Sequence, residues 1–139
     1  MKTLQIDLGK CNYGSDCSHE CEEACATRVF KFDDPAKAAI RIRPEHGKGQ
    51  ASLCDQCGDC IIVCPADALR RNKQGAVMLD KKLCVACYTC VGFCEKNVFM
   101  RTPGQLEPYK CSACSICVKA CPKSALEIAE VPTPAPRII

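Results

Sequence analysis

Sixteen of the 139 residues are Cys, and their type and spacing are what could do chemistry in this chain. They form four groups: Cys11, Cys17, Cys21 and Cys25; Cys54, Cys57, Cys60 and Cys64; Cys84, Cys87, Cys90 and Cys94; Cys111, Cys114, Cys117 and Cys121. The last three groups all read C-x2-C-x2-C-x3-C. Thiolates are soft ligands that select iron–sulfur clusters and zinc. Three of them at this spacing wrap a tight loop around one face of an iron–sulfur cube. The fourth begins a helical turn, points away from that cube and must serve a neighbouring one. Three Cys at one spacing and one at another do not suit a tetrahedral zinc held by two knuckles. The spacing predicts a [4Fe–4S] cluster for each group, four in all.

The first group is irregular and reads C-x5-C-x3-C-x3-C, with Asn12-Tyr13-Gly14-Ser15-Asp16 where two residues would stand. Gly14 permits a bulged loop. Its four Cys keep a [4Fe–4S] cluster as the expectation, with a [3Fe–4S] cluster or a rearranged ligand set as alternatives. His19, between Cys17 and Cys21, is a further candidate ligand, read first as a surface or hydrogen-bonding residue. His46 is read as plain loop.

The elements that must position these groups also repeat. Four and five residues after each final Cys stand Val29-Phe30, Ala68-Leu69, Val98-Phe99 and Ala125-Leu126. A small or β-branched residue and a large apolar one at one register make a structural repeat. Each unit reads as a cysteine loop, a short helix from the third Cys, and a strand at the apolar pair, with the pairs packed under the clusters. Ala68–Arg71 and Ala76–Leu79 flank Asn72-Lys73-Gln74-Gly75, a hairpin turn. Val98–Arg101 and Leu106–Tyr109 flank a second turn. Val29–Phe32 and Ala39–Ile42 are expected to pair across Asp33-Asp34-Pro35, and Thr3–Asp7 is expected to be a strand.

Pro follows the last Cys in groups two and four (Pro65, Pro122), and Ala26 or Glu95 follows it in the others. A two-cluster domain should join one unit of each type, which leaves two arrangements: one with two and three with four, or one with four and two with three. The gap from Cys64 to Cys84 is shorter than that from Cys25 to Cys54, and the longer gap, with Pro44 to Gly49 in it, looks like a connection between domains. This favours the nested arrangement. The fold expectation is α+β: an outer domain of residues 1–50 and 105–130, an inner domain of 51–104 inserted in it, and a Pro-rich tail at 131–139, with short helices and β-hairpins around four clusters.

Composition bounds the rest. Leu, Ile, Val and Phe number only 29, and there is no Trp. So few large apolar side chains cannot hold the chain together by burial alone. No apolar run approaches a membrane span. No export signal is visible, so a reducing cytoplasm is expected, where many Cys mean metal rather than disulfides. The formal charge is +3. Each oxidised cube with its thiolates carries roughly −2, which brings the loaded protein to about −5. The basic residues therefore offset cluster charge and do not signal nucleic acid. Arg70, Arg71, Lys81, Lys82 and Lys110 are read first as solvated surface beside the cluster loops, with stabilisation of reduced clusters or steering of a partner as the alternative.

The three regular groups are those of bacterial ferredoxins, and four groups in so short a chain resemble the four-cluster electron-transfer subunits of molybdenum, tungsten and hydrogenase complexes. Compact size makes it most similar to the small subunit accompanying tungsten aldehyde oxidoreductases. The resemblance implies an inner domain inserted between the outer groups and a cluster order of one, four, three, two. With nesting, ligation is expected to cross: Cys11, Cys17 and Cys21 with Cys121; Cys111, Cys114 and Cys117 with Cys25; Cys54, Cys57 and Cys60 with Cys94; Cys84, Cys87 and Cys90 with Cys64.

No phosphate loop and no nucleophile–base pair is present, and Cys saturated by iron leave no free thiol. The reading is a non-catalytic subunit that moves single electrons between a catalytic oxidoreductase subunit, of the tungsten type by resemblance, and a second redox subunit or carrier. A free polyferredoxin is the rival, and an iron–sulfur regulator a third reading. The Pro spacing of the tail Val131 to Ile139 favours an extended segment, read either as a disordered terminus or as an arm that docks on a partner subunit, the latter favouring the complex. Self-association, extending the wire of clusters, is a further expectation.

Overall fold

The computed structural model describes residues 1–12, 15, 17–45 and 48–135. Tyr13, Gly14 and Asp16 of the first loop, His46, and residues 136–139 lie outside the described residues, and with them the bulged loop and the tail's apolar end. The described chain is α+β, with short helices and three two-stranded antiparallel sheets.

The helices are short because the cysteine motif starts and stops them. Helices α3 (Asp59–Val63), α4 (Thr89–Phe93) and α5 (Ile116–Ala120) each begin after a left-handed residue, Gly58, Tyr88 or Ser115. Each ends at the fourth Cys of its group, whose backbone is extended. Pro65 and Pro122 explain two of these stops, because the residue before Pro is pushed out of the helical region. A five-residue helix does not stand alone in water, and α3 packs on α4 as α5 packs on α2 (Glu20–Ala24). A further one-turn helix, α1 (Leu8–Cys11), is capped by Asp7, whose carboxylate accepts from Gly9 N.

The expected first strand forms as β1 (Lys2–Ile6) and pairs with β6 (Leu126–Glu130), setting Leu4 opposite Ile128. The expected hairpin forms between β4 (Leu69–Arg71) and β5 (Val77–Leu79). Its turn is closed by Asn72, whose side-chain oxygen accepts from Gln74 N and Ala76 N, and by Gly75 at φ +87°. A side chain at Gly75 would also meet the Met1 backbone, 2.9 Å from its Cα. The second expected hairpin is reduced to one bridge, Met100 with Tyr109.

The pairing of Val29–Phe32 with Ala39–Ile42 does not occur. No Pro follows Cys25, so α2 is not stopped there and runs on as a π-helical turn over Cys25–Val29. Asp34 then caps a 3-10 turn, Pro35–Lys37, accepting from Ala36 N. The stretch read as an open connection is itself a hairpin, β2 (Arg41–Glu45) with β3 (Lys48–Ser52), and it runs past residue 50.

The repeat of apolar pairs is therefore displaced in the first unit. Ala68-Leu69, Val98-Phe99 and Ala125-Leu126 are buried as expected, whereas Val29 and Phe30 are only partly buried. Their place is taken by Ala39-Ile40, each 1% exposed. One core gathers Leu4, Ala26, Ile40, Ile42 and Leu126 around the first and fourth groups and extends to Cys54 and Val98. A smaller one holds Leu69, Val77, Phe99 and Cys90.

Candidate iron–sulfur centres

The three regular cysteine loops share one backbone. In each, the second residue after the first Cys and the first residue after the second Cys have positive φ: Gln56 and Gly58, Ala86 and Tyr88, Ala113 and Ser115. Positive φ is uncommon for residues other than Gly. Its repetition folds each loop into a nest whose N–H groups face inward, a concavity suited to anionic groups, iron–sulfur sites among them. Accordingly Gln56 N donates to Cys54 Sγ at 3.4 Å, and Ala113 N to Cys111 Sγ at 3.4 Å. In the irregular group His19, at φ +56°, occupies the register of Gly58, Tyr88 and Ser115. Its Nδ1 lies 3.4 Å from Glu22 Oε2, so the ring is engaged with that carboxylate.

The folding of these loops gathers the sulfurs into mixed sets. One cavity is lined by Cys54, Cys57, Cys60 and Cys94. A second is lined by Cys25, Cys111, Cys114 and Cys117, and a third by Cys11, Cys17, Cys21 and Cys121. The remaining four meet around Cys90, whose thiol is pushed up to about 11 by burial and by the neighbouring Cys64, Cys84 and Cys87. Among the described residues no three His, Cys, Asp or Glu side chains converge tightly enough to hold one bare metal ion. The sulfurs of a tetrahedral zinc would stand only ~3.8 Å apart, from a Zn–S bond of ~2.3 Å. Sulfurs ringing a wider cavity suit a cube.

Protonation chemistry agrees. Burial, more than any neighbour, pushes Cys21, Cys60, Cys111 and Cys117 up to about 12. Thiolates in such sites need positive iron beside them, and binding must release protons. The fourth Cys of each regular quartet with an Ala-Leu pair receives an N–H from the Ala: Ala68 N to Cys64 Sγ at 3.4 Å, Ala125 N to Cys121 Sγ at 3.5 Å. Cys25 receives the equivalent bond from Ala39 N at 3.4 Å. The donor there is fourteen residues on instead of four, by virtue of the π-helical turn and the loop after it.

Contacts between the elements order the quartets in space: α2 packs on α5, loop two is bonded to Cys111 O through Gln56, and α3 packs on α4. Cys117 is raised in part by Cys21, Cys111 by Cys54, and Cys60 by Cys90. The groups therefore run one, four, two, three, and the expected order one, four, three, two is corrected. The reason is a polar graft between loops two and four. Gln56, fully buried, donates from Nε2 to Cys111 O at 2.9 Å and accepts Val77 N at Oε1.

Two basic residues read as surface are corrected as well. Lys110 is 8% exposed and donates to Gln56 Oε1, Val77 O and Cys111 O. Arg71 is partly buried and donates to Gln56 O, Cys57 O and Gly75 O, bracing loop two from behind. Arg70, Lys81 and Lys82 are exposed as expected. Reasoning from sequence also missed Glu22, 5% exposed, which accepts from Ile42 N at 2.6 Å and Arg43 Nη1 at 2.8 Å. Polar residues one or two positions from a ligand Cys were the available signal.

Comparison with known proteins agrees with this chemistry. Residues 53–99 match the 4Fe-4S dicluster domain and residues 105–127 the 4Fe-4S binding domain. The chain is 34% identical over 74 residues to formate hydrogenlyase subunit 2 of Escherichia coli, covering 52% of this chain and 36% of that protein. It is 36% identical over 112 residues to the ferredoxin-like protein YdhX of Escherichia coli, covering 76% and 50%. It is 31% identical over 125 residues to the thiosulfate reductase electron transfer subunit PhsB of Salmonella typhi, covering 83% and 65%. The chain thus spans from about a third to two thirds of the length of these relatives. Its matched segments are ferredoxin-type iron–sulfur domains, and its sixteen cysteines fit about four [4Fe–4S] clusters.

Proposed function

We propose that the chain is a non-catalytic electron-transfer subunit carrying four [4Fe–4S] clusters, which relays single electrons between a catalytic oxidoreductase subunit and a second redox partner. The observation that carries this reading is the set of mixed quartets, each joining three Cys of one group to the fourth Cys of another. Bound clusters would supply one-electron exchange. The chain's own residues hold them: Cys11, Cys17, Cys21 and Cys121 at one end, then Cys25, Cys111, Cys114 and Cys117, then Cys54, Cys57, Cys60 and Cys94, then Cys64, Cys84, Cys87 and Cys90. Inward N–H groups stabilise the thiolates, and the apolar pairs exclude water beneath them. The pairing of β1 with β6 supports an outer domain of 1–50 and 105–130 around an inner one of 51–104. The hairpin β2–β3 lies across their junction.

The finer partner assignment is a tungsten aldehyde oxidoreductase in the cytoplasm, with residues 131–139 as a docking arm and the loop from Asn12 to Asp16 at the interface of one end cluster. No helix among the described residues is long and apolar enough to cross a membrane. Anaerobic purification should give about sixteen iron atoms per chain, four for each cube. Half that iron, with zinc in its place, sinks the four-cluster reading. Co-purifying chains and their tungsten content test the partner, and recovery of the chain alone favours a free polyferredoxin. Shortening the Asn12–Asp16 loop to two residues should spare iron content and impair transfer to the partner.

A further inference from the structure

We infer that Lys110 is the charge that tunes the two inner clusters together, making both easier to reduce than they would be without it; this rests on the four-cluster reading above. Lys110 is flanked by Cys111 in sequence and lines the cavity of Cys54, Cys57, Cys60 and Cys94. Its positive charge lowers the pKa contributions at both Cys60 and Cys111, one from each inner quartet, against the larger effect of burial.

The geometry requires the charged form. Nζ donates to three acceptors, Gln56 Oε1 at 3.0 Å, Val77 O at 2.7 Å and Cys111 O at 3.0 Å. A neutral amine has two N–H groups and cannot make all three bonds, whereas an ammonium has three donors. A buried ammonium is costly unless paired or fully hydrogen-bonded. Here its three protons are satisfied, and no carboxylate pairs with it among its hydrogen-bond partners. Its three hydrogen-bond acceptors are neutral oxygens, so none of them cancels the charge, which stands beside the cavity of Cys54, Cys57, Cys60 and Cys94 and is bonded to Cys111 O. Net charge and hydrogen bonding near the sulfurs set cluster potentials, and a fixed cation stabilises the reduced state of whatever stands beside it. Gln56 makes the effect shared: its amide bridges Lys110 in loop four's approach to Val77 in β5 and to Cys111 O.

Redox titration of the anaerobic holoprotein, followed by electron paramagnetic resonance, tests the inference. K110Q keeps an amide that can donate to two of the carbonyls but removes the charge. At unchanged iron content, two of the four midpoint potentials should fall by at least a tenfold change in the reduction equilibrium, which is 59 mV for one electron. The other two should stay in place, and K110R should restore the pair toward the natural values. Four unmoved potentials, or four moving equally, overturn the role of Lys110 while sixteen iron atoms leave the four-cluster reading intact. If the natural protein itself lacks that iron, the underlying reading fails instead. Should K110Q not retain its clusters, Q56E sets a carboxylate against the ammonium, and the same two potentials must fall; no selective change overturns the inference.

Discussion

The first and second cysteine groups answer the same demand with opposite charges. Beside Cys21 stands the buried carboxylate of Glu22, which, after burial itself, is the largest influence pushing that thiol up. Beside Cys60 stands the buried ammonium of Lys110, which is the largest influence holding that thiol down against burial. Their backbones differ in the same places. Loop two is a regular nest braced by Arg71 and closed by Pro65. The first group lets its helix run through Cys25 as a π-helical turn and brings Ala39 back from fourteen residues away to supply the N–H. The contrast teaches that ligand spacing fixes what is bound, while the buried polar neighbours distinguish one site from the next.

The largest effect removes both sides of the comparison at once. Chelating the iron should unfold the whole chain, because metal binding is folding energy in a protein whose apolar core is this small. Loss of far-UV circular dichroism on chelation is the measurement; a folded apoprotein would show that the core stands alone. Next comes the crossing of the ligands. C25S and C114S should each cost one cluster, and the C25S/C114S double variant should cost no more iron than either alone. C25S combined with C21S should cost two clusters. Iron counts in the reverse pattern would return Cys25 to its own group's cube.

A smaller effect separates the two routes by which the fourth Cys is served. A39P and A68P each delete an N–H that donates to sulfur, a loss of about 1–3 kcal/mol for a buried group left unsatisfied. Ala38 is already extended, at ψ 146°, and tolerates a following Pro. Asp67 is at φ +52°, and a Pro after it would press the backbone out of that conformation. A68P should therefore lower thermal stability more than A39P. Equal losses would mean that the remote donor is as tightly built into its loop as the local one. The smallest shift is expected from E22Q, which keeps the acceptor for Ile42 N and removes the charge. One potential should rise by no more than a tenfold change in equilibrium, 59 mV, since Arg43 at 2.8 Å already offsets the carboxylate. A fall in that potential would reverse the assigned sign.

The regular quartets were legible because cluster ligation fixes spacing rigidly, and the β4–β5 hairpin was legible because Asn72 and Gly75 carry the turn by themselves. The first unit misled because its apolar pair was sought four residues after Cys25, while a helix with no Pro to end it postponed the pair to Ala39-Ile40. Thr3 to Ile6 reads as a strand, but nothing local names β6 as its partner. The burial of Lys110 and Glu22 was hidden for a different reason, although both stand next to a ligand Cys. Charged residues are solvated far more often than buried, and only the assembled fold shows that their bonds are met inside.

The sheet that joins β1 to β6 has a consequence for biogenesis. Met1 donates its terminal ammonium to Val131 O at 2.6 Å, and Lys2 to Ile6 find their partners, Glu130 to Leu126, across nearly the whole chain. With the ligation proposed above, the two clusters held within residues 51–104 can be loaded once Cys94 has left the ribosome. The two clusters that join the first and fourth groups must wait for Cys121 and the strand after it. A chain stalled before Cys121 during synthesis would then carry iron in its middle and none at its first quartet, so maturation of the centre at Cys11, Cys17 and Cys21 lags that of the middle of the chain.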